Sequence, residues 1–386
     1  MPHDLLLIKL WKLGLTGSAW KWIREYLTGR MHQTRIEGCT SSLLSVSSGV
    51  PQGSVLGPLL FVLYINDLPS HILFSSSLLF ADDCKCISRI SSLNDCHNLQ
   101  QDLNSLYDWS CEWRLPFNSN KCKSMHVSLS SPPNQSAYQY CINDVLVSST
   151  SNHRDLGVIM SSDLSWSDHY NIIISKAFKV LHFLRRILSP HHSVSTKLQL
   201  YTTLIRSHFS FCSQVWHPHL IKDIKSIERV QRKSTKFILN DYYSCYKSRL
   251  LTLQLLPLSM WLELLDIMFL VINLKNPQSH FNIFSYVQYV RSKTRSSSQN
   301  KLQCTLPYAS NNRLNFFYFN RVVRLWNSLP IIDLEESIPT IKYKLRLFLW
   351  NHFLDSFVSN RTCTWFYSCP CSNCSISPTP KISSFL

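Results

Sequence analysis

Leu78-Leu79-Phe80-Ala81-Asp82-Asp83-Cys84-Lys85-Cys86-Ile87 reads as two short strands about an acidic turn. Apolar residues lead into the turn, and a Cys-Lys-Cys-Ile run leads away from it. Two adjacent carboxylates at a strand-turn-strand tip can hold divalent cations that activate a 3′-hydroxyl and stabilise a leaving pyrophosphate. Magnesium suits hard oxygen donors of this kind, and manganese can take the same seat. By itself such a turn is more often a solvated hairpin tip.

Working outward, Ser47-Ser48-Gly49-Val50-Pro51-Gln52-Gly53-Ser54-Val55-Leu56-Gly57-Pro58 lies a short, mostly apolar segment upstream. Small residues around a Pro-Gln pair expose backbone to an approaching ligand, and the N-terminus of the helix that follows can face phosphate. The plainer reading is a loop before a core helix. Leu56–Asp67 is the helix-compatible apolar run. Before it, residues 5–28 read as helices, with Leu6, Leu10 and Leu13 on one face and Trp20, Ile23 and Leu27 on another. Gln33–Ile36 and Leu43–Val46 read as a strand pair around Glu37-Gly38-Cys39. Leu93–Trp113 is an amphipathic helix presenting Leu99, Leu103, Leu106 and Trp109. Residues 124–160 read as strand-like pieces broken at Ser131-Pro132-Pro133-Asn134.

All 8 glycines lie at or before Gly157. The rest therefore reads as helices joined by polar or proline-containing loops: Ile172–Leu188, Lys197–Phe211, Asp223–Leu239, Leu258–Leu274, Phe319–Leu329 and Ile341–Leu354. Charge divides at a similar place. Residues 1–160 hold 12 Lys+Arg and 12 Asp+Glu, so the whole formal charge of +16 falls on residues 161–386. A basic block beside a neutral one fits a polyanion-gripping region appended to a chemistry region; solubilising surface charge is the other reading. The apolar tract Leu264–Leu274 contains Asp266 and is too short to span a bilayer. With no secretory signal at this N-terminus, an intracellular, reduced chain is expected, without a membrane partner.

Gly49–Pro58, then Leu59-Leu60-Phe61-Val62-Leu63-Tyr64-Ile65-Asn66-Asp67-Leu68-Pro69, then Phe80-Ala81-Asp82-Asp83, resemble the palm motifs of non-LTR (LINE-type, jockey-like) retrotransposon reverse transcriptases. The resemblance implies an α+β fold: a partial palm, an antiparallel sheet with packed helices, over 1–160; a helical thumb-like region over 161–290; a linker over 291–312; a C-terminal helical region over 313–359; and a Cys-rich tail over 360–386. It further implies RNA-directed DNA polymerase chemistry on an RNA template, a DNA primer and dNTPs.

Carried over residue by residue, Asp82 and Asp83 are the metal-binding catalytic acids. Gly49, Pro51, Gln52 and Gly53, with Phe80 and Ala81, line the nucleotide and template pocket. Leu115-Pro116-Phe117-Asn118-Ser119-Asn120-Lys121-Cys122-Lys123 resembles the next palm motif, which makes Lys121 the candidate that protonates pyrophosphate; an exposed lysine in a turn is the alternative. Arg154-Asp155-Leu156-Gly157-Val158 resembles the primer-grip hairpin, with Leu156, Gly157 and Val158 at the grip and Gly157 admitting primer backbone. Tyr201–Pro218, Ile227–Arg232 and Arg321–Pro330 extend the likeness. It implies nuclear action for an active parent element.

In this alignment the family's first metal-binding aspartate falls upstream of Met1. The chain is therefore expected to be N-terminally truncated, to have little activity alone, and to expose a palm edge open to association. Asp4 is expected to cap a helix instead. Catalytically silent binding of RNA or an RNA–DNA hybrid is the alternative function, and a decayed reading frame the third. Cys363, Cys369, Cys371 and Cys374 could bind zinc, a minor reading because Cys369-Pro370-Cys371 makes an irregular chelate.

Overall fold

The structure, a computed structural model, describes residues 1–128, 138–276, 282–289, 303–309 and 312–355. The break at Ser131–Asn134, much of the 291–312 linker and the four tail cysteines lie outside these residues. The chain divides into two compact units. One holds Met1–His153 with Ser161–Leu164, and the other holds Arg154–Met160 with the described residues from Ser165 onward.

The first unit opens with helices α1 (His3–Lys12) and α2 (Gly17–Leu27). Leu6, Leu10, Ile23 and Leu27 are buried as their spacing requires, but Leu13 ends α1 and is exposed. Asp4 makes no capping hydrogen bond; Pro2 holds the N-cap position, and Asp4 lies in the first turn, 3.9 Å from Arg114 Nη1. The expected strand pair is a nested hairpin. Strand β1 (Met31–His32) pairs with β4 (Leu44–Ser45), and β2 (Arg35–Ile36) with β3 (Cys39–Thr40). Glu37 and Gly38 close it with φ of 49° and 91°, the twist a two-residue hairpin turn needs.

Helix α3 (Leu56–Ile65) follows, then the hairpin of β5 (Ser76–Phe80) and β6 (Asp83–Ile87), then α4 (Leu93–Glu112). Ser92 and Asp95 start α4 with a reciprocal capping box. Short strands complete the unit: β7 (Lys123–Ser124), β8 (Cys141–Ile142), β9 (Val145–Leu146) and β10 (Ser148–Ser149), before β11 (Asn152–Asp155) and β12 (Val158–Ser161) at the boundary. Every sheet among the described residues has two strands, and β7 pairs with β10 in parallel. One core joins the unit: Leu6, Leu10, Leu60, Tyr64, Leu106, Trp109 and Trp113 are its buried centre.

The second unit is α-helical apart from β12 and a strand pair, β13 (Gln288–Tyr289) with β14 (Cys304–Thr305). Helix α5 (Ser167–Ile187) buries Tyr170, Ile173, Ala177, Leu181 and Leu184, and α8 (Ile221–Leu239) buries Ile227, Val230 and Ile238. The intervening helices are α6 (Val194–Leu200) and α7 (Ser213–Trp216). The expected helix Lys197–Phe211 is broken: α6 widens into a π-type turn at Tyr201–Ile205 and tightens at Arg206–Phe209. The Thr202 and Thr203 hydroxyls donate to Gln199 O at 2.9 and 2.8 Å, which competes with regular helix bonding.

Helices α9 (Tyr246–Leu253), α10 (Leu258–Lys275), α11 (Asn312–Asn315), α12 (Tyr318–Ser328) and α13 (Ile338–Asp355) complete the chain. Helix α10 packs against both α12 and α13. Without glycine, left-handed backbone falls to Leu164, Cys212, Asn240 and Gln254, the last two ending α8 and α9. No single helix among the described residues is long and apolar enough to cross a membrane.

Two buried polar hubs account for motifs in this unit. Glu228 Oε2 accepts the Leu258 N–H at the start of α10 at 3.0 Å, and Glu228 also accepts from the Tyr246 hydroxyl. Gln231 bonds Tyr201, Tyr246 and Leu256 O. Asp266, fully buried, lies 2.8 Å from Arg321 Nε and 2.9 Å from His217 Nδ1.

Candidate active site

The loop before α3 is fixed from both ends. Gly49 N donates to Met1 O at 2.8 Å, and His3 Nε2 lies 2.7 Å from Gly49 O. Gly49 and Gly53 both take φ of 81°, a conformation that a Cβ would strain. Ser54 Oγ donates to Pro51 O at 2.9 Å and accepts the Gly57 N–H at 3.0 Å, so it satisfies an otherwise orphaned amide at the helix start. Gly57 is small for a packing reason: a Cβ there would lie 3.1 Å from Ser54 Oγ and 3.2 Å from Pro51 O. The result leaves Gln52 and Gly53 exposed ahead of α3.

The acidic hairpin has Phe80 paired with Asp83, Leu79 with Cys84 and Leu78 with Lys85. Ala81 takes φ of 51° to close the turn, and Asp82 sits beside it at the tip. Side chains alternate across the pleat. Leu79, Cys84 and Cys86 pack on the unit's core, whereas Leu78, Phe80, Asp83 and Ile87 are exposed. Asp82 is exposed as well. Cys84 and Cys86 share a hydrogen bond that holds the Cys84 thiol below its ordinary range and raises that of Cys86.

A buried carboxylate that the sequence reading passed over anchors the entry to β5. Asp102, on α4, is 1% exposed. It accepts from Leu73 N at 2.8 Å, Phe74 N at 3.1 Å, and Ser75 N and Oγ both at 2.7 Å. Helix α4 thereby sets where the strand to Asp82 begins. Its sequence signal was an acid beside the apolar face of Leu99, Leu103, Leu106 and Trp109.

Lys9 is the second such residue. Its ammonium lies among the rings of Trp113, Trp109 and Tyr64, at 3.8, 4.6 and 4.8 Å from their centroids. It donates at 2.5 Å to both Tyr64 O and Asp67 Oδ1, at the end of α3. Burial lowers the Lys9 pKa, and Asp67 opposes that shift. Burial also pushes the Tyr64 phenol up to about 12, helped by Asp4 and Asp67.

Lys121 is exposed in the turn that its N–H closes on Asn118 O at 2.9 Å. Its neighbour Cys122 is close enough to Cys84 to feel its charge; burial, then Cys84, raise the Cys122 thiol. Val50, Leu79, Cys84, Leu115 and Phe117 all pack on the first unit's core. The structure thus gathers the chain neighbours of the Pro-Gln loop, the acidic turn and Lys121 around one core.

The other three candidates group elsewhere. Leu156, Gly157 and Val158 belong to the second unit. Leu156 and Gly157 form the β11–β12 turn with φ of 44° and 92°. The space beside Gly157 is taken by the Phe211 ring, 3.1 Å from where a Cβ would stand, and Val158 is buried.

Asp82 and Asp83 supply oxygen donors of the right hardness for magnesium or manganese. The two carboxylates stand side by side and exposed, with no third such group beside them among the described residues, where no group of three His, Cys, Asp or Glu side chains could hold a metal ion.

Residues 1–160 match the family model described as reverse transcriptase (RNA-dependent DNA polymerase). They belong to that family. The chain is 30% identical over 223 residues to the "Probable RNA-directed DNA polymerase from transposon X-element" of Drosophila melanogaster, covering 56% of this chain and 24% of that protein. It is 25% identical over 253 residues to the "RNA-directed DNA polymerase from mobile element jockey" of Drosophila funebris, covering 61% and 26%. The transposon BS polymerase of Drosophila melanogaster is 24% identical over 251 residues, covering 62% and 28%. The family match and these relatives support a LINE-type reverse transcriptase, and the chain spans about a quarter of the relatives' length. Reverse transcriptases generally use divalent metals, and they act with RNA templates and nucleotides.

Proposed function

We propose that this chain serves RNA-directed DNA synthesis, with its first unit contributing part of the nucleotide-transfer site and its second unit holding nucleic acid. Asp82 and Asp83 would offer carboxylate oxygens to magnesium, or to manganese, in two-metal nucleotidyl transfer by an assembled polymerase. The Gly49–Gly53 loop would receive the incoming dNTP and the templating base beside Phe80 and Ala81, and Lys121 would stand near the leaving pyrophosphate. The observation that carries the reading is the shared core: Val50 and Leu56 beside the loop, Leu79 and Cys84 beside the acidic turn, and Leu115 and Phe117 before the Lys121 turn all pack on it.

The donor set bears on activity. With two carboxylates where a clamp needs more, charge on the transition state would be poorly stabilised, and losing such groups typically costs several kcal/mol. The isolated chain is therefore expected to bind RNA or an RNA–DNA hybrid while making little DNA. The edges of the β5–β6 pair carry no third strand among the described residues, which suits association with another strand. An assembled enzyme copying into chromosomal DNA would act in the nucleus.

Nucleic-acid binding has a surface to use. On α8, Lys222, Lys225, Arg229, Arg232 and Lys236 recur every three or four residues, opposite the buried Ile227, Val230 and Ile238. On α5, packed beside α8, Lys176, Lys179 and Arg186 are exposed. Such stripes track phosphates. The test is RNA binding by the whole chain across a salt series, alongside primer extension with magnesium. Salt-sensitive binding that weakens in Lys222→Gln/Arg229→Gln supports the reading; binding indifferent to salt and to these changes refutes it. Robust synthesis by the chain alone refutes the incomplete donor set.

A further inference from the structure

Arg206 lies in the tight turn after the π-type turn, and only 7% of it is exposed. Its Nε and Nη2 are enclosed and have no hydrogen-bond partner. The guanidinium carbon is 3.9 Å from the ring centroid of Trp261, on α10. Lys342 Nζ is 5.9 Å from the same centroid. Lys342 and Arg346 stand one turn apart on α13, and both are exposed. Arg346 Nη2 donates to Gln254 O at 2.9 Å, and its charge opposes that of Arg206.

No ion pair joins Arg206, Lys342 or Arg346 to a carboxylate among the described residues. Glu228 is the acid whose charge reaches Arg206. Its oxygens are committed to Tyr246 and the Leu258 N–H. The Trp261 indole N–H is also engaged, donating to Ser210 Oγ at 3.2 Å.

Two features are unfavourable as they stand. A buried guanidinium keeps donors without acceptors, which burial penalises by lowering its pKa. Two positive charges also share one indole, a third, that of Arg346, acts on Arg206, and none of the three is ion-paired to a carboxylate among the described residues. An oxyanion removes both faults. The planar fork of an arginine matches phosphate geometry, and ammonium and guanidinium groups on the rim complete the charge balance.

We propose that Arg206, Lys342 and Arg346 form a phosphate-binding site at Trp261. The phosphate can belong to a nucleic-acid backbone or to a free phosphate compound such as inorganic phosphate or pyrophosphate. The site is distinct from the α8 stripe in its residues, and it goes beyond the polymerase reading, so either can fail without the other.

The experiment is calorimetric titration of the full chain with inorganic phosphate at constant ionic strength, paired with binding of a short single-stranded RNA. Lys342→Gln/Arg346→Gln removes two exposed charges and the bond to Gln254 O, and its melting temperature is measured beside the titration so that lost binding is told from lost fold. Arg206→Lys keeps the buried charge and removes the fork. The site predicts saturable phosphate binding, weakened on the order of tenfold or more in both variants. A parallel loss of RNA affinity identifies backbone phosphate as the source; unchanged RNA affinity identifies a free phosphate compound. Absence of saturable binding, or binding equal in the chain and both variants, overturns the site.

Discussion

Asp102 takes two hydrogen bonds from Ser75, one from its N–H and one from its hydroxyl, both at 2.7 Å. With the Leu73 and Phe74 amides, this ties the start of β5 to the buried face of α4. Asp102→Asn keeps the size but loses the charge, and one amide nitrogen would face donors. Bonds to a charged acceptor contribute about 1.5–3 kcal/mol each before compensation. The expected outcome is a loss of roughly 2–4 kcal/mol of first-unit stability, with faster amide hydrogen exchange at Leu73–Ser75. Unchanged exchange there would contradict the anchor.

Lys9 should behave as a linchpin between α1 and α3. Lys9→Met removes a buried ammonium that sits among three aromatic rings and bonds Asp67 and Tyr64 O. Asp67 is 41% exposed, so its abandoned charge can be hydrated. A destabilisation of about 1–3 kcal/mol follows, below that for a fully buried pair. The check is a denaturant midpoint followed by tryptophan fluorescence, since Trp109 and Trp113 line the cage.

Gly57→Ala tests the Pro-Gln loop. The added methyl would press on Pro51 O, which is backbone and cannot rotate away. Overpacking of this kind costs about 1–3 kcal/mol. Amide chemical shifts should move at Pro51's neighbours Val50 and Gln52 and stay fixed in the second unit.

Glu228 gives the second unit a pH signature. Burial raises its pKa to about 7, above its ordinary value, although Tyr246 and the Leu258 N–H pull it down. Between the unfolded and folded values the native chain holds the extra proton, so this group's contribution falls as pH rises from roughly 4.5 to 7. His169 acts oppositely: burial lowers it to about 4, so its contribution grows with pH up to its ordinary value. The comparison with Glu228→Gln isolates the first effect. The stability of the unmodified chain relative to that variant should fall by on the order of 2–3 kcal/mol at most across that window. A constant difference would contradict it.

Local pattern revealed much of this architecture. The Phe80–Asp83 hairpin, the Glu37-Gly38 turn, α3, α4, α5, α8, α10, α12 and α13 follow from alternation, turn residues and three-to-four spacing, whereas α9 was not read from them. What pattern could not show is where lone polar residues find partners. Asp102 and Lys9 each sit beside an apolar stripe, and their partners lie 27 to 58 positions away in the chain. The Asp4 cap failed because Pro2 already stands at the N-cap. The helix expected through Arg206 was interrupted by threonines whose hydroxyls bond the preceding turn. Phe211 beside Gly157 is a tertiary contact between residues 54 positions apart, outside the reach of a turn rule.

The most direct measurement follows amide signals of the chain as manganese is added. Paramagnetic broadening should appear first at Ala81–Cys84, reach Gln52 and Gly53 and the Lys121–Cys122 turn, and vanish in Asp82→Asn/Asp83→Asn. Broadening centred elsewhere, or unchanged in that variant, would contradict a cation seat at the paired acids beside the nucleotide loop.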